Sequence, residues 1–285
     1  MKDKQLDLTP GIYMVATPIG NLEDITLRAV RVLENVDWIA AEDTRQTKKL
    51  LDHFGIHKTL FSVHEHSSER KIQECVQRLE RGEKGAYVSD AGTPGICDPG
   101  ADLVNLAREK GIAVFPIPGA SAIVTLLSCA GFSQSAFQFL GFFPREEKQQ
   151  VIEKMKNEGG IFVFFEAPHR FLRTLECLRG LPNESYLVVG RELTKHFETV
   201  SAGKVEEIYL RLQNLEPRGE YVLALSVPVP KKQAEWSAEK VSDLFALLAD
   251  LGGNQKLLTK LGTELGLAKN NSYDLALEVL KTRVR

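Results

Sequence analysis

Four consecutive residues, Glu42-Asp43-Thr44-Arg45, join two carboxylates to a guanidinium where an apolar run at 36–41 gives way to a helical pattern. Either Asp43 or Glu42 could accept a proton, and Arg45 offers a planar fork that suits a phosphate. The same residues also fit a plain helix start, because acids are favoured in a first turn. A second cluster, His64-Glu65-His66, ends the next apolar run. At strand spacing both histidines face one side and Glu65 the other. Substrate contact suits His64 and His66 better than a metal, since no further ligands stand at suitable spacing. The candidate catalytic set is therefore Asp43, Glu42 and Arg45, with no metal expected.

Three glycine- and proline-rich loops share that edge: Thr17-Pro18-Ile19-Gly20, Ser89-Asp90-Ala91-Gly92-Thr93-Pro94-Gly95 and Pro116-Ile117-Pro118-Gly119-Ala120-Ser121-Ala122. Each follows an apolar run and leads into a helix. Loops at the carboxyl ends of strands line the ligand crevice of an open α/β sheet. Glycine lets a backbone approach a ligand closely, and proline stiffens the loop. Three such loops in one layer predict a small molecule read largely through main-chain groups, hence an enzyme with a bound cofactor. There is no G-x-G-x-x-G, no G-x-x-x-x-G-K and no G-x-S-x-G, so the usual dinucleotide, nucleoside-triphosphate and hydrolase signatures are missing.

The elements that must carry these loops alternate. Apolar strands at 12–17, 36–41, 59–63, 85–89 and 112–116 interleave with helical stretches near 26–34, 44–54, 67–81, 99–110 and 120–130, which predicts a mostly parallel sheet with right-handed crossovers. Asp98 can cap the fourth helix, with Pro99 at its first position and Gly111 closing it. A second α/β unit follows, with strands near 137–142, 161–165, 185–190, 197–202 and 220–227 and helices at 146–158 and 169–179. After the proline-flanked Lys231-Lys232 the pattern is helical, at about 238–250, 254–265 and 271–283, with Asn271 or Ser272 as the last cap. The organisation read from this is 1–131, 132–230 and a helix-turn-helix-like appendage at 231–285. A net charge of −2 gives no global sign of nucleic acid, so an RNA partner would need a local basic patch. The appendage carries nine Lys and Arg against seven Asp and Glu, a small local excess. No apolar run approaches the ~18–20 residues of a membrane span, and nothing resembles a signal peptide. The four scattered cysteines predict buried free thiols in a reducing cytosol, placing the protein in the cytoplasm.

Val15-Ala16-Thr17-Pro18-Ile19-Gly20-Asn21-Leu22-Glu23-Asp24-Ile25-Thr26 resembles the opening of the tetrapyrrole methylase superfamily, whose members use S-adenosylmethionine bound between two α/β domains. Ser89 to Pro94 and Pro118 to Ala122 look like its second and third cofactor loops. Ala40 to Arg45, Ser62 to His66, Phe165-Glu166-Ala167-Pro168-His169-Arg170 and Gly190-Arg191-Glu192-Leu193-Thr194-Lys195 look like the ribosomal RNA small subunit methyltransferase I branch. The resemblance spans about 11–227. It implies methylation of a cytidine ribose 2′-hydroxyl in the decoding region of small-subunit ribosomal RNA, within the assembled subunit, by a homodimer. It also implies that Pro18, Ser89, Asp90, Ala91, Gly92, Ser121 and Ala122 line the cofactor, closed over by Leu140, Glu166, Ala167, Gly219 and Glu220.

Methyl transfer is an in-line displacement at carbon, so positioning can supply most of the catalysis. A ribose hydroxyl is a poor nucleophile, and a base near the forming alkoxide would help. Arg145, His169, Arg170, Arg191 and Lys195 could grip phosphates without reading sequence. Phe142-Phe143-Pro144-Arg145 places aromatics beside an arginine, where exposed rings could stack an unstacked base. Phe162-Val163-Phe164-Phe165 reads as core. The rival readings are another acceptor on the same fold, such as a tetrapyrrole or a modified protein side chain, and a non-catalytic RNA-binding factor.

Overall fold

Trp38-Ile39-Ala40-Ala41 is buried at every position, the mark of a strand covered on both faces. The computed structural model describes residues 7–64, 69–98, 100–133, 136–230, 238–265 and 267–283. It divides into two compact units, Met1–Val229 and Pro230–Arg285.

The first unit holds two sheets. Strands β1 (Gly11–Val15), β2 (Trp38–Ala41), β3 (Thr59–Ser62), β4 (Lys84–Val88) and β5 (Val114–Ile117) form an all-parallel sheet in the order β3-β2-β4-β1-β5. Alternate side chains divide between its faces. Tyr13 and Val15 pack with α1 (Leu27–Asn35) and α2 (Thr44–His53), while Ile12 and Tyr87 pack with α3 (Glu69–Glu80) and α4 (Gly100–Glu109). The connections from central β1 and β4 leave towards opposite edges, so the crevice beyond their carboxyl ends is the ligand-binding position of such sheets.

The second sheet runs β6-β7-β10-β8-β9, with β6 (Phe137–Phe142) parallel to β7 (Gly160–Glu166). Strands β8 (Tyr186–Arg191), β9 (Thr199–Lys204) and β10 (Tyr221–Val227) add antiparallel pairs. One face packs on α6 (Lys148–Glu158), α7 (Pro168–Leu178) and α8 (Val205–Leu212). The other receives Ile123, Leu126 and Ala130 of α5 (Ala122–Ala130). Helix α5 thus starts in the third glycine-rich loop, which follows the first sheet, and packs on the second.

Several expectations need correction. Helix α8 was not anticipated; it buries Val205, Ile208 and Leu212, and the Glu207 carboxylate accepts from the Lys204 N–H at 3.1 Å. Phe143 is not an exposed aromatic but a fully buried core residue. Strand β3 ends at Ser62, so strand alternation does not reach His64. Cys75 is buried, Cys177 is intermediate, and Cys97 and Cys129 are exposed; all four are free.

In the second unit, α9 (Ala238–Asp250), α10 (Gln255–Glu264) and α11 (Lys269–Arg283) enclose Val241, Phe245, Leu258, Ala276 and Val279. Asn254 caps α10, its side chain accepting from the Leu257 N–H at 3.0 Å. Helix α11 begins at Lys269, earlier than expected, so Asn271 and Ser272 lie inside it rather than capping it. A Cβ on Gly262 would lie 2.8 Å from the buried Ser272 Oγ, so packing between α10 and α11 places this serine in their seam.

Candidate active site

Hydrogen bonds to main-chain groups tie the three glycine-rich loops together. Thr17 and Gly92 exchange N–H···O bonds of 2.9 and 3.1 Å, and the Thr93 hydroxyl donates to the Ala120 carbonyl at 3.1 Å. Gly92 sits at φ +80°, a conformation side chains rarely adopt, with the Ile19 side chain 3.3 Å from where a Cβ would be. The β2 loop joins the array sideways. The Asp43 N–H donates to Asp90 at 2.9 Å, and the Asp90 N–H reaches the Glu42 carboxylate at 3.5 Å. Asp98 accepts from the N–H groups of Gly95, Ile96 and Gly100 at 2.7–3.2 Å, which folds the β4 loop back onto the start of α4. Pro99 lies outside the described residues.

These loops and the second sheet enclose a cavity of about 400 Å³, within the range of roughly 300–1,000 Å³ typical of small-molecule sites. Of the residues anticipated for a cofactor, Ser89, Asp90, Ala91, Gly92, Ser121, Ala122, Glu166, Ala167 and Glu220 border it, and so does Glu42. Pro18, Leu140 and Gly219 do not. Pro18 is buried beside the bordering Ile19, and Leu140 packs into the core on the far face of the second sheet. Gly219, at φ +80°, lies against Glu192, where a Cβ would come within 2.5 Å of its carboxyl. Ile96, Cys97, Asp98, Ile123, Phe142, Phe165, Leu193, Tyr221 and Val222 also border the cavity and were not anticipated as its lining. Period-two alternation could have found Phe165, which shares a strand face with Ile161 and Val163.

Two charged groups expected at the site are engaged within the protein. Glu166 is buried; its carboxylate accepts from the Ala167 N–H at 2.8 Å and from the Thr174 hydroxyl, and pairs with Arg170 at 3.0 Å. The Arg170 guanidinium also donates to the Phe143 carbonyl, and only 14% of its side chain is exposed. Arg170 is thereby a buried counter-ion, not a surface phosphate grip. Glu166 presents the Ala167 backbone to the cavity while its carboxylate turns inward.

Asp43 caps α2, accepting from the Arg45 N–H at 2.8 Å, and Arg45 returns its guanidinium to the same carboxylate at 2.9 Å. That hydrogen bond holds the Asp43 carboxyl below its ordinary range, which makes it a weak base. Neither Asp43 nor Arg45 borders the cavity. Lys195 bridges Glu192 at 3.0 Å and Glu220 at 2.9 Å on the cavity's edge, and Arg191 donates to the Arg218 carbonyl at 2.8 Å. The Lys195 stem packs on the first loop, since a Cβ on Gly20 would fall 2.4 Å from its Cγ. His64, Arg145 and His169 are exposed; His66 lies outside the described residues.

Comparison with known proteins matches residues 11–209 to the Tetrapyrrole (Corrin/Porphyrin) Methylases. Ribosomal RNA small subunit methyltransferase I of Halalkalibacterium halodurans is 40% identical over 278 residues, covering 95% of this chain and 96% of the relative. The protein of the same description from Escherichia coli O157:H7 is 42% identical over 272 residues, covering 94% of each. The chain belongs to the ribosomal RNA small subunit methyltransferase I branch of the tetrapyrrole methylases.

The fold follows the family. A diphthine synthase structure superposes with TM-score 0.60 at 14% identity, covering 76% of this chain and 89% of its own. A uroporphyrin-III C-methyltransferase from Thermus thermophilus, complexed with S-adenyl homocysteine, gives 0.52 at 15% identity, covering 76% of this chain and 97% of its own. Both alignments leave about a quarter of the chain unmatched. As a member of this family the protein is a methyltransferase with two α/β layers and added helices. Among the described residues no helix is long and apolar enough to cross a membrane, and no cluster of three or more His, Cys, Asp or Glu is arranged to hold a metal.

Proposed function

We propose that the protein transfers a methyl group from S-adenosylmethionine to the 2′-hydroxyl of a cytidine in the decoding region of small-subunit ribosomal RNA. The observation that carries the reading is the position of Glu42, a carboxylate on the wall of a cofactor-sized cavity in a chain 40–42% identical to ribosomal RNA methyltransferases. When bound, S-adenosylmethionine supplies an activated methyl group.

The cavity suits that cofactor in size and polarity. Ala91, Gly92 and Ala122 offer main-chain groups and little bulk, while Glu42, Asp90 and Asp98 add negative charge suited to a cation. The N-cap Ser121 makes no side-chain cap bond to α5, which leaves the first N–H groups of that helix suited to a carboxylate. Glu42 takes up the hydroxyl proton, because it borders the cavity whereas Asp43 is bound to Arg45. Asp43 and Arg45 fix the start of α2 and thereby the backbone that carries Glu42. His64, Arg145, His169, Arg191 and Lys195 are proposed to meet phosphates, Arg191 and Lys195 beside the carbonyl and carboxylates they already engage.

Lobes 1–131 and 132–230 with an appendage at 231–285, and a cytoplasmic location, belong to the same reading and rest on the sequence pattern; the homodimer and the assembled subunit as substrate rest on the sequence resemblance. The test is tritium transfer from labelled S-adenosylmethionine to purified small ribosomal subunits lacking native methylation, followed by nuclease digestion and nucleoside analysis. Label in a 2′-O-methylated cytidine derivative is expected. Label in another nucleoside, or none despite demonstrated cofactor binding, would overturn the acceptor.

A further inference from the structure

Strand β6 breaks its own alternation immediately before the cavity. Phe139 pairs with Val163 and Phe142 with Phe165, so three steps on β6 stand against two on β7. The extra residue is a β-bulge, and Gly141 within it adopts φ +68°. Without the bulge, Phe142 would follow Leu140 into the core on the helix-covered face. With it, Phe143 enters that core instead, and Phe142 turns to the opposite face, where it borders the cavity.

The result is an aromatic shelf with one bare side. The Phe142 ring rests on Phe165 at 5.6 Å and 59°, and Phe165 in turn meets Phe139 edge-on at 5.2 Å. Phe142 nevertheless remains 55% exposed. Ile96 of the β4 loop, 46% exposed, borders the same cavity from the first sheet. A large apolar ring braced from behind and left open in front, at the rim of a methyl-transfer cavity, is the form of a stacking platform for an unstacked base.

We propose that Phe142 stacks the nucleobase of the target nucleotide, holding its ribose at the cavity. This rests on the acceptor being RNA. Stacking on an aromatic side chain is worth about 5- to 150-fold in affinity per base. The experiment measures steady-state methyl transfer to unmethylated small subunits and calorimetric binding of S-adenosylhomocysteine for the wild type, Phe142→Ala, Phe142→Leu and Phe142→Trp. Expected are a KM for subunits raised about 5- to 150-fold in the alanine and leucine variants, near-wild-type KM for tryptophan, and unchanged S-adenosylhomocysteine affinity in all three. Equal recovery by leucine would reduce the ring to apolar packing and overturn the proposal. Weakened S-adenosylhomocysteine binding with an unchanged KM for subunits would overturn it too, assigning the ring to the cofactor's adenine. Wild-type enzyme that methylates subunits while Phe142→Ala does so equally well sinks this inference alone. Wild-type enzyme inactive on subunits and free RNA sinks the acceptor reading and this proposal with it.

Discussion

The Asp43 carboxylate accepts three hydrogen bonds from Arg45 alone: one from its backbone N–H at 2.8 Å and two from its guanidinium at 3.1 and 2.9 Å. A carboxylate so occupied serves the helix start, and of the two neighbouring acids Glu42 is the one that borders the cavity. Glu42→Gln is therefore expected to lower kcat by about 10²- to 10⁴-fold with S-adenosylhomocysteine affinity retained. Asp43→Asn should lower it far less. Single-turnover methyl transfer compares the two, and a larger loss at Asp43 would reassign the base.

Gly92 is the hinge of the loop array, at φ +80° and bound on both sides to Thr17. Replacing it with alanine forces a side chain into a left-handed conformation and against Ile19. Gly92→Ala is expected to lose more than about 1 kcal/mol of stability and to weaken S-adenosylmethionine binding at least about tenfold. Chemical denaturation and calorimetric titration read the two effects separately.

Removing Arg170 would take the counter-ion from the buried Glu166 carboxylate and leave it, among the described residues, the hydrogen bonds from Thr174 and the Ala167 N–H. A buried charge that loses its partner costs about 3–5 kcal/mol. Arg170→Ala should show that loss in urea unfolding. A double variant, Glu166→Gln with Arg170→Met, should recover part of it, because no uncompensated charge then remains.

The Lys195 clasp carries a pH signature. Burial opposes the charged form of Glu192, but the Glu220 N–H and the Lys195 ammonium outweigh it and hold the carboxyl below its ordinary 4.5. Burial likewise opposes the Lys195 charge, and the Glu220 and Glu192 carboxylates raise it above 10.5 on balance. A lowered carboxyl contributes stability above its unfolded value and loses it as pH falls through the folded one; a raised ammonium does so below its unfolded value and loses it as pH rises. The urea midpoint of Lys195→Met should fall furthest below wild type between pH 4.5 and 10.5, and the two proteins should converge beyond either end. A constant gap across pH would show that the lysine acts only through its packed stem.

The loops that build the cavity were legible because their chemistry is local. Glycine, proline and small polar residues between an apolar run and a helix mark a turn wherever they occur, and Asp98 declared its helix start in the same way. What sequence could not show was non-local. One inserted residue in β6 exchanged the fates of Phe142 and Phe143, and nothing in Phe-Gln-Phe-Leu-Gly-Phe-Phe says which step of the strand slips. Arg170 looked like a surface cation until the fold set it beside buried Glu166. Helix α8 carried a readable spacing at Val205, Ile208 and Leu212, but it starts at the residue after β9 ends, with no intervening loop, and only Gly203 inside the strand's end hints at the change of period.

Helix α5 gives the cavity its mechanical character. Its N-cap Ser121 and first residues Ala122 and Ile123 are part of the wall, and Leu126 further along is wedged without exposure among Val188 and Val222 of the second sheet and Leu193 of the loop after β8. Lifting α5 from that sheet would expose Leu126 to water, so burial of this side chain favours keeping the α5 part of the wall against the second sheet. The stretch of wall formed by Ser121, Ala122 and Ile123 is thereby seated against the second sheet before any guest arrives.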